Sequence, residues 1–290
     1  MKHSILIFLI ITPFLLSCGE NGGGGQHNGT TAEDFSFASP LVSKIEVSSG
    51  GTLIETYEFS YDDKARLSSL THTDCLQKNK LLALDYSYTG SEMTASGTFY
   101  PLSSKRFISA TLDKEQKTLS YKGSWSGALS YVTSFDGGGT ATATVSDSDF
   151  SAKDGQYSSA TRYSETYSVT SGCISTATMG NEIEARSSKR TKTTSVAAFS
   201  YSYSYSGNDD KQNFSAFLIP CNFPVWYAAG LPGCKKLITG ISSARGGVAS
   251  AATTTIKYGL TPEGNIDTAV RTDLNDGQEI LVRTYKFYYQ

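Results

Sequence analysis

The chain reads as all-β: one long antiparallel meander forming a strongly curved sheet or an open barrel, crossed once by an irregular, short helical segment. Three observations lead there. Aromatic or aliphatic residues alternate with polar ones in run after run, the two-residue period of a half-buried strand. Turn residues divide those runs at short intervals, as in hairpin-linked strands. Composition agrees, with 18 Tyr and 14 Phe against only 7 Pro.

The chain begins outside that domain. "MKHSILIFLIITPFLLS" (1–17) has a positive start at Lys2 and an apolar stretch from Ile5 to Leu16. That is shorter than the about 20 apolar residues a membrane-spanning helix needs, and it fits a secretory leader. "LLSC" resembles the lipobox of bacterial lipoproteins, which makes Cys18 the acylated first residue after cleavage. Each buried CH₂ of an acyl chain contributes about 0.8 kcal/mol, so several chains hold firmly. Residues 18–33, "CGENGGGGQHNGTTAE", then form a lipidated cysteine and a flexible tether. Gly19 rather than Asp after the cysteine favours the outer membrane, by analogy with lipoprotein sorting in Gram-negative bacteria. Cell-surface and periplasmic orientations are both open.

Residues 34–290 are expected to be a single antiparallel β domain. The formal net charge of −2 gives no sign of a nucleic-acid partner held by charge. In "TLIETYEFSY" Leu53, Tyr57, Phe59 and Tyr61 share a face, with Glu55 as the exception. Leu82, Leu84, Tyr86 and Tyr88 do the same in "LLALDYSY", as do Leu129, Tyr131 and Phe135 in "ALSYVTSF". Phe199, Tyr201, Tyr203 and Tyr205 face one way in "FSYSYSYSGNDD", with serines between them. Near the end Leu281, Tyr285, Phe287 and Tyr289 line up. "YDDKA", "TGS", "DGGG", "TPEGN" and "NDG" supply the turns. "NFSAFLIPCNFPVWYAAGLPGCKKL" (213–237) breaks the pattern, and Pro220, Pro224 and Pro232 bar it from a regular central strand. It reads as a crossover with a short helical turn, apolar enough to pack across an open end or edge of the sheet.

Apart from Cys18, four cysteines permit two disulfides in an exported chain. Cys221 with Cys234 closes a short loop and is the preferred pair, leaving Cys75 with Cys173. Free buried thiols are the alternative.

"YEFSYDDKARLSSL" resembles the strand–turn–strand unit that opens a group of Bacteroides-type lipoproteins of unknown function with a porin-like fold. "YSYTG" and "YSYSG", the proline-interrupted crossover and the closing "TPEGNI … YKFYY" pair are similar to that group as well. The resemblance implies an open, strongly curved antiparallel sheet and no known activity. One departure is Ala65, where the group's first turn has glycine. In a left-handed conformation alanine costs on the order of 1–2 kcal/mol, so the alternative is a different turn type.

Catalytic signatures are absent from the sequence. Outside the leader and tether the domain has His72 as its single histidine, which excludes a two- or three-histidine metal site; no metal or cofactor is expected. A Ser-His-Asp triad would have to use His72, and Asp74, two residues on, is badly placed to orient it. Asp62–Asp63 and Asp209–Asp210 fall where turns need them. Glu182 and Glu184 share a strand face and are the candidates for a glycosidase pair, against a plain solvated face. Asp147 and Asp149 lack the other ligands of a calcium loop.

The tyrosine faces are then either core or a stacking platform. The turn-proximal Tyr88 and Tyr205, with Trp125 and Trp226, are the candidate ligand contacts. The expected function is a non-enzymatic, lipid-anchored outer-membrane lipoprotein that binds a glycan or another envelope ligand. The alternative is a structural or assembly lipoprotein that binds another envelope protein. A membrane-spanning barrel would need an outward apolar band, which the serine faces do not offer.

Overall fold

In the computed structural model the described residues are 35–90, 92–99, 106–113, 118–124, 128–135, 140–146, 158–170, 173–187, 190–219, 227–228, 236–245 and 248–290. Cys18, Trp125, Cys221, Trp226 and Cys234, with Asp147 and Asp149, lie outside them.

Sixteen strands follow one another. The first four are β1 (Val42–Ser49), β2 (Thr52–Tyr61), β3 (Leu67–Asp74) and β4 (Asn79–Thr89). Next come β5 (Glu92–Phe99), β6 (Arg106–Asp113), β7 (Thr118–Ser124), β8 (Ala128–Phe135) and β9 (Thr140–Ser146). The long β10 (Ser158–Thr170), β11 (Cys173–Ser187) and β12 (Arg190–Asp209) lead to a helical turn, α1 (Ser215–Leu218). The chain ends with β13 (Lys236–Arg245), β14 (Val248–Leu260), β15 (Ile266–Asn275) and β16 (Gln278–Tyr289).

Every strand pairs antiparallel with its sequence neighbours, and β1 pairs with β16, so the sheet is a closed barrel. The all-β meander expected from the sequence is therefore present. The openness that the resemblance implied is not, because the first and last strands carry matching inner faces. Ile45 stands opposite Phe287 and Val47 opposite Tyr285, and Gln290 N–H donates to the Leu41 carbonyl at 3.0 Å. Closure gives both edge strands partners and leaves no edge to aggregate.

The rings of the aromatic runs face inward. Phe59, Leu70, Leu84, Tyr86, Tyr203, Tyr285 and Phe287 are all buried. The opposite faces carry Glu58, Ser60, Asp85, Ser87, Ser202, Ser204, Thr253, Thr255 and Lys257, all exposed. At these positions of β2, β4, β12 and β14 the outward face is polar, unlike the outward apolar band of a membrane-spanning barrel.

One end of the barrel is filled from inside. Residues 210–219 and 227–228 form the plug, the described part of the irregular crossover. Phe214, Ala216, Leu218, Ile219, Tyr227 and Ala228 are buried in it. Phe214 packs edge-on to Tyr285 and Phe287, with centroids 5.2 and 5.1 Å away. Phe217 meets Tyr57 at 5.1 Å, and Tyr227 lies 4.9 Å from Phe59. Asp210 holds the segment together: its carboxylate accepts the N–H groups of Phe214 and Ser215 at 2.8 and 2.7 Å. The chain also enters at this end. Phe35 packs on Tyr88 at 5.2 Å, and Phe37 N–H donates to the Ala65 carbonyl at 2.9 Å.

The first turn keeps the left-handed residue despite lacking glycine there. Ala65 has φ +57°. Asp62 N–H donates to Arg66 O, and Ala65 N–H to Asp62 O. The β14–β15 turn has the same pattern at Thr261, Gly264 and Asn265, with Gly264 at φ +80°. Ala65 thus occupies the glycine position of the same turn. Asp62 compensates by accepting the N–H groups of Lys64 and Arg66 on one oxygen and the Arg66 guanidinium on the other.

Candidate functional site

Two sets of inward side chains bear on function: a belt of tyrosines at the plugged end and a charged cluster nearer the other end.

The belt repeats one geometry five times. Tyr61 donates to the Val42 carbonyl at 3.0 Å and Tyr88 to Leu67 at 2.7 Å. Tyr205 donates to Ile174 and Tyr258 to Ile238, both at 2.6 Å, and Tyr289 donates to Ile266. Each tyrosine lies three residues past a residue whose ladder partner lies two residues past the acceptor, as with Ser202 and Thr176. The strand direction brings an even-numbered strand to its plugged end just where the odd-numbered one before it starts, and the phenol spans that step. Burial pushes the Tyr61 hydroxyl up to about 12, and raises Tyr88 and Tyr205 further.

Tyr88 and Tyr205, the candidate ligand contacts, are therefore members of this belt. Both are half-buried with their hydroxyls committed to backbone carbonyls. The face of Tyr88 is also covered: Phe35 lies on it, and the Arg66 guanidinium sits 4.5 Å from its centroid. Beside the belt, a crevice lined by Phe37, Pro40, Tyr61 and Gln212 is too shallow to admit a water molecule.

The cysteine expectation needs correction. Cys75 has a free thiol, 3.8 Å from the Thr56 hydroxyl, whereas Cys173 is disulfide-bonded. A Cys75–Cys173 bridge is thus not formed. The two residues stand on β11 and next to β3, far apart around the ring.

The charged cluster is built by four strands that barrel closure brings together. Glu55 and Tyr57 come from β2, His72 from β3, Arg271 and Asp273 from β15, and Arg283 and Tyr285 from β16. Val47 of β1 pairs with Glu55 on one side and Tyr285 on the other, which sets the level at which the seam joins. Glu55 is the hub. It accepts from Tyr57 at 3.1 Å and pairs with His72 Nε2 at 3.2 Å. Arg283 Nη1 lies 3.7 Å from its other oxygen, a charge contact longer than a hydrogen bond. The Tyr57 ring stacks on the His72 ring at 4.1 Å and 11°. On β15, Asp273 accepts from Arg271 Nε at 2.9 Å and from the Thr254 hydroxyl at 2.6 Å.

Burial raises the Glu55 carboxyl, but the His72 hydrogen bond and charge, the Arg283 charge and the Tyr57 hydroxyl outweigh it. The net effect holds Glu55 below the ordinary glutamate range. Burial raises the Tyr285 phenol against the lowering charges of Arg271 and Arg283. Arg271 and Arg283 are direct cross-strand partners, two like charges on one inner face. Arg283 Nε is buried with no hydrogen-bond partner among the described residues. Their side chains nonetheless keep 29% and 20% exposure, so solvent reaches both.

Asp74, which its spacing made a poor candidate to orient His72, does not contact it. The partner is Glu55, one strand away. Asp74 instead accepts the N–H groups of Leu76 and Gln77 in the β3–β4 turn. Glu182 and Glu184 stand on β11 opposite Ser195 and Thr193 of β12.

No family model and no curated protein matches the chain. Among solved structures, a porin-like protein from Bacteroides uniformis, determined by crystallography at 2.32 Å resolution, is similar with a TM-score of 0.47 and 14% identity. The match covers 88% of this chain and 99% of that one.

Proposed function

We propose that the chain is a lipid-anchored, outer-membrane barrel protein, not an enzyme, that binds a glycan or another envelope ligand in the polar part of its lumen. The leader, the cysteine at position 18 and the glycine-rich tether support the anchor. The observation that carries the binding reading is the inward cluster of Glu55, His72, Arg271, Asp273 and Arg283. Charged groups on the inner face of a barrel are costly unless paired, and here they remain accessible to solvent. Carboxylates, guanidiniums and a histidine together offer the donors and acceptors that orient a polyhydroxylated ligand.

The same electrostatics speak against glycoside cleavage at this place. A catalytic acid needs a carboxyl raised into the neutral range, and Glu55 is shifted the other way.

The test is a thermal-shift screen of the mature chain against oligosaccharides and envelope fragments, with acyl-chain labelling of the full-length protein and its Cys18→Ala variant. A ligand at 100 times its Kd stabilises by about 2.7 kcal/mol. A shift lost in Glu55→Gln supports lumen binding, and label lost in Cys18→Ala supports the anchor. Silence across the panel and label retained in the variant contradict them.

A second reading, assembly with another envelope protein, is favoured by a different observation. Leu53, Leu76, Val248 and Ile280 are 40%, 64%, 73% and 54% exposed. All four lie in or within a few residues of turns at the end opposite the plug. Capture of one protein partner, lost when Leu76 and Val248 become serine, would favour it.

A further inference from the structure

We infer that Arg271 and Arg283 form the recognition subsite for a carboxylate, so that the ligand is an acidic saccharide of the uronic- or sialic-acid class. This rests on the lumen-binding reading and adds the ligand's charge to it.

Two features of the arginine pair point to an anion, and a third selects a carboxylate over a phosphate. The two residues face each other directly across the β15–β16 ladder, and like charges so placed destabilise a sheet. Burial sharpens that cost. Tyr285, whose hydroxyl interacts with both guanidiniums, is neutral at ordinary pH and cannot cancel their repulsion.

The second feature is the hydrogen-bond balance. A guanidinium has five donors. For Arg283 the guanidinium reaches the Tyr285 hydroxyl and one nitrogen faces Glu55 at 3.7 Å, but Nε has no partner among the described residues while being buried. Glu55 Oε1 lies beyond hydrogen-bond distance of Arg283, while Tyr57 and His72 hold the carboxylate by its other oxygen. Nε forms one corner of the side-on fork with which arginine grips a carboxylate. The side chain as a whole keeps 20% exposure, so the guanidinium borders the lumen beside this buried nitrogen.

The third feature is the balance of charge. Two arginines are matched by Glu55 and Asp273, and the acids sit at the flanks while the guanidiniums occupy the middle. A single carboxylate completes the arginine fork. A phosphate dianion would meet the two flanking carboxylates with twice the repulsion.

The experiment titrates the mature chain with sialyllactose and with lactose, with galacturonate oligomers and their neutral counterparts, and with inorganic phosphate. Acidic sugars are expected to bind at least about tenfold tighter than neutral ones, the scale of one hydrogen bond to a charged group. Arg283→Gln should abolish that preference, and Arg283→Lys should restore only part of it. Should the glutamine variant fail to fold, the wild-type Arg283 Nε–H resonance gives the readout, moving on addition of galacturonate and not of neutral sugar. Equal binding of acidic and neutral sugars would overturn the carboxylate subsite and leave lumen binding standing. Phosphate binding as tightly as the acidic sugars would also overturn it. No binding by any sugar would overturn both readings.

Discussion

Arg283 Nη1 lies 3.7 Å from Glu55 Oε1 although a whole strand, β1, separates their backbones. The contact exists only because β16 closes onto β1, so it reports barrel closure and the assembly of the charged cluster at once. Its pH dependence follows. The Glu55 carboxyl is held below its ordinary value, so its stabilisation is fully present above the unfolded-state value of about 4.3. That stabilisation is lost as pH falls through the lower, folded-state value. Urea denaturation of wild type and Glu55→Gln between pH 7 and pH 3 should show the wild-type advantage shrinking on acidification. An advantage independent of pH would contradict the pairing.

Ala65 stands where the matching turn has Gly264, at φ +57°. Ala65→Gly should raise stability by up to about 1 kcal/mol, the left-handed penalty less the extra freedom glycine gives the unfolded chain. Chemical denaturation checks this, and a loss of stability would mean that the turn is of another type.

The tyrosine belt predicts that Tyr88→Phe, Tyr205→Phe and Tyr258→Phe each cost about 1 kcal/mol, the net worth of one hydrogen bond. The three sites are separated around the ring, so their costs should add. Denaturation midpoints unchanged by all three substitutions would contradict the belt.

Asp210 accepts two backbone N–H groups inside the plug. Asp210→Ala leaves both donors buried without that acceptor and should cost about 2 kcal/mol or more. The loss should come with increased binding of a hydrophobic dye as the plug loosens. A variant as stable as wild type would contradict the plug's attachment.

Much of the fold was legible because the signals are local. The two-residue period of "YSYSYS" makes a strand and orients its rings whatever surrounds it, and the prolines of the crossover exclude a strand wherever it lies. Closure was not legible, since nothing in "VSKIEVSS" names "YKFYY" as its neighbour. The same limit explains the site. Glu55 was visible as the residue that breaks an apolar face, and Arg283 lies between Leu281 and Tyr285 on another such face, unremarked beside the aromatics. Their meaning appears only when register and closure bring them together. Conversely, Tyr88 and Tyr205 looked like ligand contacts because a turn-proximal ring ought to be exposed; the carbonyls of Leu67 and Ile174 that occupy them belong to other strands.

The proposed function puts ligand chemistry in the charged exceptions of the lumen and not in the tyrosine ladder. It is tested most directly by measuring the binding of whichever oligosaccharide shifts the wild type, in Glu55→Gln and in Tyr205→Phe, each confirmed folded. Binding should weaken at least tenfold, roughly the scale of one hydrogen bond to a charged group, in Glu55→Gln and stay unchanged in Tyr205→Phe. Binding retained in the first and lost in the second would place the site on the tyrosines and contradict it.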